Sequence, residues 1–188
     1  MLKQRAERKD LLRALGEVFR AHGYEGASLT LITEATGLGK GSLYHLFPGG
    51  KEQMASEVLA DIDTWFELNI YAPLREATDP ARAIAAMISG VDQYFHSGNR
   101  ICLVGLVALG AARDTFAEAV DDYFARWQAA LASLLRRSGL SKGQAQRRAE
   151  DALLTIQGAL VLARARNDGG IFRRALSDLT ARLLAPPD

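Results

Sequence analysis

Apolar residues recur along this chain at spacings of three and four, and the breaks between such stretches fall at Gly, Pro and Asn. That period marks a buried stripe along one side of a helix. Leu11, Leu15, Val18 and Phe19 form the first stripe, stopped by His22-Gly23-Tyr24. Ser28 is an N-cap for a short second helix ending at Gly37, and a third runs from about Lys40 to Phe47, before Pro48-Gly49-Gly50. A long fourth helix starts near Lys51 with Met54, Val58, Ile62, Trp65 and Phe66 inward. Pro73 and the turn "ATDP" separate it from a fifth, which buries Ile84, Met87, Ile88, Val91 and Phe95. "HSGNR" breaks the chain before the apolar piece "ICLVGLVALGAA". A seventh helix, roughly 114–138, carries Phe116, Val120, Phe124, Trp127, Leu131 and Leu134. "SGLSKG" leads into an eighth to Asn167, and "NDGG" into a ninth near 170–185. No alternating β-branched run is bounded by hairpin turns. The expectation is an all-α fold of about nine helices.

Candidate chemistry concentrates in "GLGKGSLYHLFPGGKEQM", residues 37–54. A phosphate-binding loop needs G-x-x-x-x-G-K-[ST] after a buried strand; here the spacing differs and a helix precedes the glycines. The pattern fits a helix-turn-helix over 28–47 instead: a helix of about nine residues, a glycine turn and a second short helix. Gly37 stands where the first helix needs a residue tolerant of the left-handed conformation. Leu29, Ile32, Ala35 and Leu38 are the expected core between the two. The second helix opens with Lys40, Gly41 and Ser42, whose end would meet base edges. Tyr44 and His45, one turn later, reach phosphate oxygens. Lys51 adds a cation beside the N–H groups of helix four. Ser28 and Thr30, opening the first helix of the pair, complete the DNA-facing set. The plain alternative is a packed helix pair with Tyr44 half buried.

Composition narrows the function classes. Hydrophobic residues at 48% and charged ones at 24% exclude disorder. No apolar run reaches the roughly 18 residues of a membrane span, so no membrane partner is expected. The first residues are charged and alternate in sign, unlike a secretory leader. One cysteine, Cys102, excludes a disulfide framework and suits a reducing cytoplasm. Residues 1–51 hold eight Lys/Arg against five Asp/Glu, whereas 52–188 hold fifteen against seventeen. The positive excess therefore lies in the N-terminal third, which favours a polyanion there. His22, His45 and His96 sit in separate segments, so no catalytic residue, metal ligand or cofactor is expected. A small-molecule-binding or catalytic helical bundle is the alternative of another class.

From "LLRALGEVFRAHGYEG" through "FPGGKEQM" the chain resembles the DNA-binding domain of the tetracycline-repressor (TetR) family of bacterial regulators. Phe19, Gly23, Ile32, Ala35, Gly37, Lys40, Gly41, Leu43, Tyr44, Phe47 and Lys51 carry the match, over about residues 5–65. "FPGGKE" is one residue longer than the common "FPSKE" turn and, with "ICLVGLVALGA", looks like the LmrA/YxaF-type branch. Leu31 stands where the family often has an acid, and Gly39 where it has a hydroxyl-bearing cap. The resemblance implies a homodimer that binds a palindromic double-stranded DNA operator and is released by a small-molecule effector. Residues 5–65 would form the DNA-binding domain and 66–188 a domain for ligand binding and dimerisation.

In this family helices four, five and seven line the effector pocket. The resemblance thus assigns ligand contact to Trp65, Phe66, Met87, Tyr94, Phe95, Leu103, Val107, Phe116 and Trp127, a set suited to an apolar or aromatic molecule. Packing in the core is the plainer reading of each. Helix eight repeats small residues at spacings of four and three: Ala145, Ala149, Ala152, Ile156, Ala159 and Ala163. Such a stripe lets another helix approach closely, either of the same subunit or of a partner. The family places helices eight and nine in an intersubunit bundle, which assigns Ala152, Ile156, Ala159, Ala163, Phe172, Leu176 and Leu179 to the dimer interface. Cys102 is either a redox-sensing thiol that gates the repressor or a small buried hydrophobe.

Overall fold

Short polar side chains start four of the helices, Asp168 among them, whose carboxylate accepts the N–H of Gly170 at 2.8 Å. Ser28 Oγ accepts the N–H of Leu31 at 3.3 Å, and Asp79 accepts that of Arg82 at 3.1 Å. Ser141 Oγ accepts from Gln144 N at 3.3 Å while the Gln144 side chain accepts from Ser141 N at 3.1 Å, a reciprocal capping box. Left-handed residues stop two of these same helices, Gly37 at φ 68° and Asn167 at φ 50°. The computed structural model describes residues 2–186, with side chains from residue 7 onward. The final Pro187-Asp188 of the expected 66–188 domain lies outside the described residues.

Among the described residues there are nine helices and no strand. They are α1 (Leu2–Gly26), α2 (Leu29–Thr36), α3 (Lys40–Leu46), α4 (Gly50–Phe66, continued through Glu67–Tyr71 into Ala72–Glu76), α5 (Pro80–Tyr94), α6 (Leu103–Leu109), α7 (Ala117–Arg137), α8 (Lys142–Arg166) and α9 (Gly169–Leu184). None is long and apolar enough to cross a membrane.

Two local expectations need correction. Gly23 does interrupt α1, with φ 69° and ψ 172°, yet helical hydrogen bonding resumes to Gly26. Pro73 does not end α4. The preceding Glu67–Tyr71 turn is a π-helix, in which Ala72 N–H reaches Glu67 C=O, and this wider turn carries the chain past a residue with no N–H of its own.

The chain divides into two bodies. The first comprises Met1–Thr64 with Leu103–Val120; the second, Trp65–Cys102 with Asp121–Asp188. The segment from α6 through the turn after it groups with the first body because it packs against α1. In the first body Leu15, Phe19, Ile32, Leu43, Phe47, Met54 and Val58 are buried. In the second, α8 and α9 form an antiparallel pair, with α5 also against α9.

Candidate functional site

The recognition helix α3 has seven residues and buries little of itself. Leu43 is fully buried, as is Phe47 at its C-cap, whereas Lys40, Gly41, Ser42, Tyr44, His45 and Leu46 are exposed. A side chain built at Gly39 or Gly41 would touch nothing within 4 Å. These glycines serve no internal packing and leave the surface open to a close-approaching backbone. Ser28 and Thr30 are exposed as well, Ser28 being the N-cap of α2. Ile32 is the anchor of α2, but Ala35 is exposed rather than part of the small core.

Lys51 also makes contacts within the domain. Its Nζ donates to Tyr24 C=O at 2.9 Å and to Glu25 C=O at 3.4 Å, and lies 4.6 Å from the centre of the Tyr24 ring. The ammonium therefore closes the carbonyl end of α1. Tyr24 packs edge-on against Phe116, with ring centroids 5.2 Å apart. Burial, and then the carboxylates of Glu52 and Glu25, push the Tyr24 hydroxyl above its ordinary pKa. Sequence reading missed Tyr24 and Glu25, because their partners come from residues far along the chain.

The expected effector residues fall in both bodies. Leu103, Val107 and Phe116 belong to the first, where Leu103 and Val107 join Phe19, Tyr24, Ala55 and Leu59 around a crevice of about 10 Å³. That is room for roughly one water molecule. Trp65, Phe66, Met87, Tyr94, Phe95 and Trp127 belong to the second. There Phe66 is the hub of an aromatic cluster, with centroids 4.9 Å from Tyr94, 4.8 Å from Tyr123 and 5.2 Å from Trp127. Trp65 lies 4.6 Å from Tyr94. Tyr123, rather than the expected Phe124, is the inward aromatic of this turn of α7. Burial holds its hydroxyl well above the ordinary pKa, with the Cys102 thiol beside it. Trp127 Nε1 and Gln157 Nε2 are buried with no hydrogen-bond partner among the described residues.

The residues assigned to the dimer interface lie inside the subunit's own packing. Ala152, Ile156, Ala159, Ala163, Phe172, Leu176 and Leu179 are all buried inside the single chain. The small-residue stripe packs in the seam between α8 and α9 of the same chain. The exposed face of α8 carries Leu154 and Val161, 65% and 62% exposed, and Leu162, with Gly158 open to solvent between them.

Sequence relationships match this geometry. Residues 11–58 match the family model for bacterial regulatory proteins of the tetR family. Residues 80–177, just over half of the chain, match the model for the C-terminal domain of LmrA/YxaF-like transcriptional regulators. The chain belongs to the TetR family. It is 30% identical over 160 residues to the HTH-type transcriptional regulator LmrA of Bacillus subtilis, covering 83% of this chain and 85% of that protein. YxaF of the same organism is 28% identical over 165 residues, with 86% of each chain covered. A TetR-family regulator from Agrobacterium tumefaciens superposes with a TM-score of 0.80 at 22% identity, over 96% of this chain and 99% of that one. A cysteine-substituted CifR solved with 26bp double-strand operator DNA superposes with a TM-score of 0.74 at 27% identity, over 96% and 97%. As a TetR-family member the chain is a DNA-binding transcriptional regulator and not an enzyme. The family binds operator DNA as dimers that respond to small molecules.

Proposed function

We propose that this protein is a cytoplasmic repressor that leaves a palindromic operator when an apolar or aromatic molecule enters its second body. The observation that carries the DNA half is the division of α3: Leu43 and Phe47 inward, Lys40, Gly41, Ser42, Tyr44 and His45 outward. Lys40 and Ser42 read base edges, Tyr44 and His45 meet phosphates, and Ser28 and Thr30 flank them. Residues 5–65 hold this machinery, and 66–188 supply the effector site and the dimer contact. Leu154, Val161 and Leu162 are the reading's dimer face, since they are the apolar residues of α8 that one subunit leaves exposed.

The effector reading rests on the Phe66 cluster. A planar apolar ligand replaces ring-on-ring contacts there, and an acceptor on it satisfies Trp127 Nε1 or Gln157 Nε2. Release requires only that the ligand bind the non-operator state more tightly. Half-sites about 34–36 Å apart make operator binding sensitive to the separation of the two reading helices. A thiol gate is not supported: Cys102 is 7% exposed, which keeps oxidants from it.

Selection from a random-sequence duplex library tests the DNA half. The expected result is enrichment of an inverted repeat whose affinity falls steeply with salt. No enriched repeat sinks the reading.

A further inference from the structure

We infer that Gln53, with Arg8 behind it, sets the pose of the recognition helix and is a positioning residue for operator reading, an assignment that rests on the DNA-binding reading above. A helix of seven residues is marginal by itself in water. Its own buried anchors are Leu43 and the C-cap residue Phe47, so its angle depends on what fixes Phe47 and the turn after it.

A continuous polar relay does so. The Arg8 guanidinium lies 4.2 Å from the centre of the Phe47 ring and donates to Glu57 Oε2. Glu57 Oε1 accepts from Gln53 Nε2 at 2.9 Å, and Gln53 Oε1 accepts the N–H of Gly49 at 2.8 Å. Both ends of the Gln53 amide are thereby committed inside the domain. This is the reach-back half of a capping box, made from one residue further along α4.

The lengthened "FPGGKE" turn is shaped around the amide. A Cβ at Gly49 would lie 3.1 Å from Gln53 Cβ and 3.2 Å from Gln53 Oε1, closer than ordinary contact. Gly50 sits at φ +65°, a conformation that favours glycine. The glycine pair and Gln53 therefore act as one device. The relay's hydrogen bonds are all made within the domain, and they fix the helix that carries the reading side chains. Contacts to base edges tolerate only small displacements, so loosening the relay erodes sequence reading first.

The test uses the full chain, the duplex enriched by selection, and a scrambled duplex of equal length, each at several salt concentrations. Gln53→Met keeps the volume and removes both hydrogen bonds; Gly49→Ala breaks the same link from the other side. Each is expected to weaken the selected duplex about five- to tenfold, the equivalent of roughly one lost hydrogen bond. Scrambled-duplex affinity stays within about twofold, and the salt slope is unchanged, because no phosphate contact is lost. The double variant is no worse than either single one, since both act on one link. Selected-duplex affinity within about twofold of wild type in both folded variants overturns the inference. So does equal loss on both duplexes with a salt slope lower by about one, which makes Gln53 a phosphate contact. A wild-type chain that enriches no sequence overturns the DNA reading and this inference together.

Discussion

Glu25 Oε1 accepts the backbone N–H of Ala112 at 2.8 Å, joining residues 87 positions apart. This bond, with the Tyr24–Phe116 ring contact, ties the turn after α6 to the end of α1. Segment 103–120 therefore belongs with the DNA-reading helices, although it is chained at both ends to the second body. Glu25→Ala removes the acceptor and is expected to cost the first body about 1 kcal/mol, below the usual range for a charged acceptor because Glu25 is exposed. Amide hydrogen exchange at Ala112 should quicken in Glu25→Ala and stay slow in Glu25→Gln, which keeps an acceptor oxygen. Equal exchange in wild type and Glu25→Ala refutes the tie.

Lys51 and Tyr44 should separate cleanly in mutation. The Lys51 ammonium is bonded to Tyr24 C=O, so Lys51→Ala is expected to lower the melting temperature by several degrees through about 1 kcal/mol of lost capping and cation–π contact. Tyr44 is 47% exposed on α3. Tyr44→Ala should leave the melting temperature nearly unchanged and weaken selected and scrambled duplexes alike, because phosphate contacts carry no base information. Calorimetry and binding titrations on the two variants settle the matter. A stable Lys51→Ala chain with a reduced salt slope would restore the phosphate role first read from the sequence.

Local signals were legible where the deciding atoms are close in sequence. Ser28, Gly37 and Asn167 mark helix ends through bonds within a few residues, and those ends stand where their chemistry puts them. The outward set on α3 follows the same way from helical period. Pro73 misled because no apolar period announces a π turn. The contact of Lys51 with Tyr24 was not legible, because Tyr24, 27 residues earlier, meets it only in the folded chain. The alanine stripe of α8 identifies a face that another helix approaches closely, but spacing cannot name that helix. In the folded chain α9 of the same subunit packs along α8, where Ala152 and Ala159 are buried.

Two sets of charge insertions on α8 should therefore behave oppositely. Leu154→Glu with Val161→Glu lies on the exposed apolar face and is expected to yield a folded monomer by light scattering, since a dimer contact would bury both carboxylates. Ala152→Glu places a charge in the α8–α9 seam, where the residue has no exposed surface. That variant should unfold the second body at ordinary temperature, read as lost near-ultraviolet dichroism from Trp65 and Trp127. A dimer that survives Leu154→Glu/Val161→Glu excludes this face.

Acid should loosen the second body through Glu67. Its carboxylate accepts from both Arg75 and Arg126, and Arg126 in turn lies over the Tyr71 ring. The hydrogen bond from Arg75 above all, then that from Arg126, holds Glu67 below its ordinary pKa despite partial burial. The folded state therefore binds this proton less readily than the unfolded chain. Its contribution to stability is present in full above the unfolded value of roughly 4.3, and fades as pH falls through the lower folded value. Glu67 also opens the π turn that carries α4 past Pro73, so its neutralisation removes the charged clamp on that turn. Glu67→Gln should lower the melting temperature near pH 7 and flatten its decline below about pH 4.3, relative to wild type. Parallel curves for the two proteins across that window would show that the pairing adds nothing to stability.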